Sequence, residues 1–183
     1  MLSGRNILVI ISGGIAAYKA LEVIRLMKKS GASVRAILTA GGEKFITPLS
    51  VATLSEHPCY TDLWSLKDET EMGHIRLSRE ADIILVAPAS ANILAKMTHG
   101  IADDLATTTL LASDKPVIAC PAMNPMMWAH PATQDNIATL KKRGVALIGP
   151  VAGDTACGEV GMGRMAEPED ILAALKAYLS SRP

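Results

Sequence analysis

The chain has 183 residues, with 18 basic and 18 acidic side chains and a formal net charge of zero. Hydrophobic residues make up 49% and charged residues 20%, which suits one sizeable core and excludes disorder. Balanced charge argues against a general grip on nucleic acid or anionic membrane, and one Phe, two Trp and three Tyr leave little for base stacking.

Short apolar runs alternate with helical-period segments along the whole chain. NILVII at Asn6–Ile11 predicts a strand covered on both faces; it leads into a glycine turn rather than a signal-peptide cleavage site. Ile15–Lys29 follows with apolar residues at 20, 21, 24 and 27, one face of a helix ending near Gly31. Ser33–Leu38 is the second predicted strand and Pro48–Leu54 a short helix. Asp82–Ala87 is the third strand, ended by Pro88, and Ala91–Met97 and Asp103–Ala112 are helices. Val117–Cys120, helix Thr133–Arg143, Val145–Ile148 and helix Pro168–Leu179 complete the series, with Gly149–Glu167 as a glycine-rich loop.

Five strands alternating with helices predict a doubly wound parallel α/β fold in the order 2-1-3-4-5, in a single domain. The longest apolar candidate for a membrane span is interrupted by Pro88, Ser90 and Asn92. Cysteines at 59, 120 and 157 do not form a disulfide or zinc framework, and a cytoplasmic location is expected.

Several segments at the predicted carboxyl edge could carry chemistry. Ser12-Gly13-Gly14 joins the first strand to the first helix, where backbone N–H groups and the helix dipole favour a phosphate; the same glycines also suit a plain tight turn. Thr39 could add a hydroxyl to the same anion. In Pro88–Asn92, Ser90 and Asn92 offer polar groups to a ligand, or Ser90 simply caps a helix. In Pro121–Trp128, Asn124 is one polar fork in an apolar wall, able to hold a carboxylate or to cap a helix begun by Pro125. His74, just ahead of the third strand, could serve acid–base chemistry, although a lone histidine is more often a surface or satisfied residue; Cys157 is a thiol in a glycine-rich loop near Arg164, and no metal-ligand spacing occurs.

SGGIAAYK, FITPLS, MGHI, PASAN, PAMNPMMW and ACGEVGMGRM, in this order, resemble the flavin-dependent cysteine decarboxylases, most of all the phosphopantothenoylcysteine decarboxylases of coenzyme A biosynthesis. The resemblance implies a flavodoxin-like fold over 1–183 binding FMN, in homo-oligomers built from trimers, with flavin near the subunit contact. It implies that Ser12, Gly13, Gly14, Ile15 and Thr39 hold the flavin phosphate. Phe45 would lie against the ring, with Ser90, Asn92 and Ala122 lining it. His74, Asn124 and Cys157 would be catalytic, Asn124 and Met123 meeting the substrate. A phosphopantothenate–cysteine ligase, fused or separate, would be the functional partner. Ile93 stands where the family pattern has Thr after PASAN, which puts one flavin hydrogen bond in question. The rival readings are a peptidyl-cysteine decarboxylase, a flavin prenyltransferase of similar fold, and a non-catalytic flavin-binding regulatory subunit.

Overall fold

A computed structural model describes residues 2–63, 73–154 and 158–181. Strands β1 (Asn6–Ile11), β2 (Ser33–Leu38) and β4 (Ile83–Ala89) are parallel neighbours, Val9 lying opposite both Ala36 and Leu85. β5 (Val117–Pro121) and β6 (Ala146–Leu147) extend the sheet beyond β4, and β3 (Cys59–Tyr60) extends it beyond β2. The order is β3-β2-β1-β4-β5-β6, so the five predicted strands take their predicted order and β3 is an added edge. A two-residue strand carries too little periodic signal to stand out from a loop.

Helices cover both faces, which is why the central strands are continuous apolar runs. One face carries α1 (Ala17–Lys29), α2 (Pro48–Ser55) and α8 (Pro168–Ser180), packed through Ala20, Val23, Ile24, Met27, Val51 and Ile171. The other carries α3 (Gly73–Glu80), α4 (Ala91–His99), α5 (Leu105–Leu111) and α7 (Pro131–Lys142), with Leu77, Leu94, Leu105 and Ile137 in its core. Among the described residues no helix is long and apolar enough to cross a membrane.

Two expectations are corrected and one element is added. Pro88 lies inside β4 rather than ending it; its missing N–H falls where the pairing with β5 shifts register between Val86 and Ala89. The segment just ahead of β4, to which the sequence reading assigns no element, contains helix α3, with His74 in its first turn. The Gly149–Glu167 stretch forms an antiparallel hairpin, β7 (Val151–Asp154) and β8 (Val160–Arg164), instead of an irregular loop.

Candidate active site

The order of strands reverses at β1, so the crevice between the loops after β1 and β4 is where such a sheet accommodates ligands. Ser12 fastens the two loops together: its hydroxyl donates to the Pro88 carbonyl at 2.7 Å and accepts the Ser90 N–H at 2.9 Å. Gly13 lies against the loop after β2, where an added Cβ would stand 3.0 Å from the Gly41 carbonyl carbon. Thr39 braces that second loop, its hydroxyl donating to the Ile11 carbonyl at 3.2 Å and accepting the Gly42 N–H at 3.1 Å. Gly14 takes φ +153°, a value that disfavours side chains, and faces open space. Among the described residues no acceptor takes the N–H groups of Gly13, Gly14, Ile15 and Ala16, which precede the 13-residue helix α1. N–H groups so placed at a helix start can take an anion of phosphate size as a partner.

Ser90 caps α4 by accepting the Ile93 N–H at 3.3 Å, and Asn92 is exposed beside it. The Ile93 side chain belongs to the buried core beneath α4, so an apolar residue at this position serves packing. Ile15 and Phe45 are both exposed at the same edge; Phe45 follows a single 3₁₀ turn at Gly42–Lys44. Ala122 extends the edge by donating its N–H to Ala89 at 3.0 Å.

Asn124 caps the short helix α6 (Pro125–Ala129), its Oδ1 accepting the N–H groups of Met126 at 2.8 Å and Met127 at 3.2 Å. That use of the oxygen fixes the amide so that Nδ2 points away from the helix, where it donates to Glu159 Oε2 at 2.5 Å. The hairpin is seated directly on this segment. Met123 donates its N–H to the Gly163 carbonyl at 2.9 Å, and a Cβ on Gly163 would collide with the Met123 carbonyl. A Cβ on Gly161 would stand 3.0 Å from the Pro125 ring. Gly163 serves close approach of two backbones and Gly161 close approach to the Pro125 ring, while the alternate residues Val160 and Met162 are exposed.

A cavity of about 460 Å³ joins the two halves, with Gly14, Ile15, Lys19, Ala122, Asn124 and Arg164 in its wall. Its far side is held by a charge cluster. Lys19, 8% exposed, donates to Glu167 Oε1 at 2.8 Å, and Arg164 donates to the same oxygen at 3.0 Å. The hydrogen bond from Lys19, helped by the charges of Lys19 and Arg164, holds the Glu167 carboxyl below its ordinary range. Sequence reasoning missed Lys19, Glu159 and Glu167. Lys19 leaves one trace, a cation immediately beside the apolar stripe of α1. A second cavity, of about 340 Å³ around Arg35 and Glu80, lies at the amino edge, away from the strand-to-helix loops.

The other expected residues are not gathered into the 460 Å³ cavity, whose wall includes neither His74, Phe45, Ser90 nor Asn92. His74 occupies the first turn of α3, half-buried; Glu80 at the far end pairs with Arg35, which leaves the histidine end towards the carboxyl edge. Cys157 lies outside the described residues. The other two thiols are unreactive by environment: burial, with the charge of Glu43, pushes Cys59 up to about 11, and burial alone pushes Cys120 up to about 12.

The comparisons agree with this geometry. The bifunctional coenzyme A biosynthesis protein CoaBC of Vibrio vulnificus is 46% identical over 182 residues, covering 100% of this chain and 45% of that protein. CoaBC of Bacillus subtilis is 45% identical over 180 residues, covering 98% and 44%. The chain thus spans less than half the length of these curated relatives. A solved PPC decarboxylase mutant complexed with pantothenoylaminoethenethiol superposes with TM-score 0.84 at 32% identity, covering 96% of this chain and 98% of that one. The FMN binding protein AtHal3 does so with TM-score 0.87 at 34% identity, covering 98% of both. Residues 1–180 match the family model described as Flavoprotein. On that match, and on a phosphate-suited turn at the switch point of a doubly wound sheet, the chain belongs to the flavoprotein family.

Proposed function

We propose that the chain is an FMN-dependent carboxy-lyase that converts 4′-phospho-N-pantothenoylcysteine to 4′-phosphopantetheine in coenzyme A biosynthesis. The observation that carries this reading is Asn124, an amide with its oxygen tied down and its NH₂ already on a carboxylate, in the wall of a cavity that begins at the phosphate-suited turn. The similarity to CoaBC proteins and to a PPC decarboxylase complex supports the substrate.

The residues present fit FMN: the unclaimed N–H groups at 13–16 and the open space at Gly14 suit its phosphate. Ser12, Gly13, Gly14, Ile15 and Thr39 would form and brace that cradle, and Phe45, Ser90, Asn92 and Ala122 would flank the ring. Bound flavin would supply two-electron chemistry, accepting hydride from the carbon bearing sulfur and returning it after CO₂ has left.

His74 would take the substrate's thiol proton onto a ring nitrogen, a task suited to an imidazole, which both accepts and releases a proton. Asn124, with Met123 beside it, would hold the carboxylate until the carbon–carbon bond breaks. The electron pair of that bond passes to the thiocarbonyl of the oxidised substrate, leaving an enethiolate and CO₂. Cys157 would then donate the proton required when the enethiol is reduced to the saturated thiol. The chain would assemble into trimer-based homo-oligomers with flavin near the subunit contact, for which exposed apolar Ile15, Phe45 and Leu49 are available as contact residues. A phosphopantothenate–cysteine ligase, fused or separate, would supply the substrate, and the setting would be cytoplasmic.

The test is the product mass after anaerobic reaction of FMN-loaded protein with phosphopantothenoylcysteine. Loss of CO₂ alone is expected from the wild type. Cys157→Ser should release CO₂ but stop at the enethiol, two hydrogens lighter. A saturated product from Cys157→Ser at the wild-type rate would remove that residue's role, and unchanged substrate from the wild type would overturn the reading.

A further inference from the structure

The acid that holds Asn124 is not a casual surface neighbour. Glu159 immediately precedes β8, and the register of β8 is set by Gly161 against Pro125 and by Gly163 against Met123. A backbone contact at Gly163 without room for a methyl group, and a tight one between Gly161 and the Pro125 ring, therefore deliver this carboxylate to the Asn124 amide, 35 positions earlier in sequence. Asn124 has no freedom to turn its oxygen towards an approaching anion, since two N–H groups of α6 hold that oxygen in place. Only the NH₂ end faces outward, and it is given to the Glu159 carboxylate.

On the reading above, that NH₂ is also what the carboxylate of the substrate must reach. We propose that Glu159 is a built-in competitor for the substrate's carboxylate, occupying its receptor until an N-acyl cysteine displaces it. Two carboxylates sharing one amide repel each other, so the substrate must supply enough binding energy elsewhere to expel Glu159. Small monocarboxylates, with nothing further to contribute, are turned away. A substrate whose acyl chain fills the rest of the 460 Å³ cavity is not. Glu159 in this role is a specificity-determining residue and takes no part in bond making. The inference rests on the assignment of Asn124 as the carboxylate anchor.

The experiment separates binding from turnover. Glu159→Gln and Glu159→Ala in the FMN-loaded protein should lower KM for phosphopantothenoylcysteine about 3- to 10-fold while kcat changes little, the size expected for loss of one exposed charge-assisted contact. Glu159→Asp, which keeps the charge, should stay nearer the wild type. Titration with N-acetyl-S-methylcysteine, which needs no turnover, should show tighter binding in the Gln and Ala variants, and its carboxamide should gain less. An unchanged or raised KM, or equal gains for acid and amide, would overturn the proposal. Failure of the wild type to release CO₂ would instead count against the decarboxylase reading, and the titration would still decide the competition at Asn124.

Discussion

In the turn after β1, Gly14 has φ +153° and nothing within 4 Å of where a side chain would begin; in β8, the Met123 carbonyl occupies that place beside Gly163. Both glycines line or support the same cavity. Both take a φ that disfavours a side chain, +153° at Gly14 and +152° at Gly163. At Gly14 the space beyond the backbone is open, whereas at Gly163 another piece of protein also fills it. Glycine-rich segments of similar appearance in sequence therefore do different physical work, one leaving a void and the other eliminating one.

The contrast predicts different failures. Gly163→Ala should unseat the hairpin from α6, costing on the order of 2–4 kcal/mol of stability and reducing CO₂ release to background. Gly14→Ala should leave the hairpin and Asn124 in place, costing about 1–3 kcal/mol of local strain, and lose FMN while remaining folded. Thermal unfolding together with flavin absorbance distinguishes the two, and equal behaviour would erase the comparison.

Asn124→Asp sharpens it on the hairpin side. Aspartate remains a good helix cap, so melting should be nearly unchanged, but its charge repels both Glu159 and a substrate carboxylate. CO₂ release should fall by about two orders of magnitude or more, measured with saturating substrate.

The smallest effect is expected from Glu167, which pins the base of the hairpin to α1 through Arg164 and Lys19. Its carboxyl titrates below the ordinary 4.5 in the folded chain, so the unfolded chain binds more protons as the pH falls through that value. The stability it contributes is present above about pH 4.5 and is lost progressively below it. Glu167→Gln should flatten the acid limb of stability against pH without altering the neutral region much. An unchanged limb would show the cluster to be mere surface pairing.

Much of this was legible in the sequence, for reasons that particular residues make plain. NILVII can only be a strand buried on both faces, and Asn124-Pro125 announces a helix start that the structure contains. The glycine turn after β1 was readable because a strand-to-helix junction leaves a local signal, although its contacts with Gly41 and Pro88 leave none. The hairpin was not, because Gly161 and Gly163 answer to Pro125 and Met123, partners nearly 40 positions away that leave no local pattern. For the same reason nothing in the local sequence singles out Glu159. Helix α3 escaped notice because its eight residues bury only Leu77 and Ser78, too few to make a period.

The alternation along β8 also marks where chemistry can be added to the molecule from outside. Gly161 and Gly163 point into protein and accept nothing, whereas Val160 and Met162 point into solvent. A fluorophore carried at position 160 would ride on the same short strand that presents Glu159 and Arg164, yet stand clear of the cavity wall. Its anisotropy would register whether the hairpin is seated on α6, making the docking of this strand a directly observable quantity in a protein whose own aromatic residues are few.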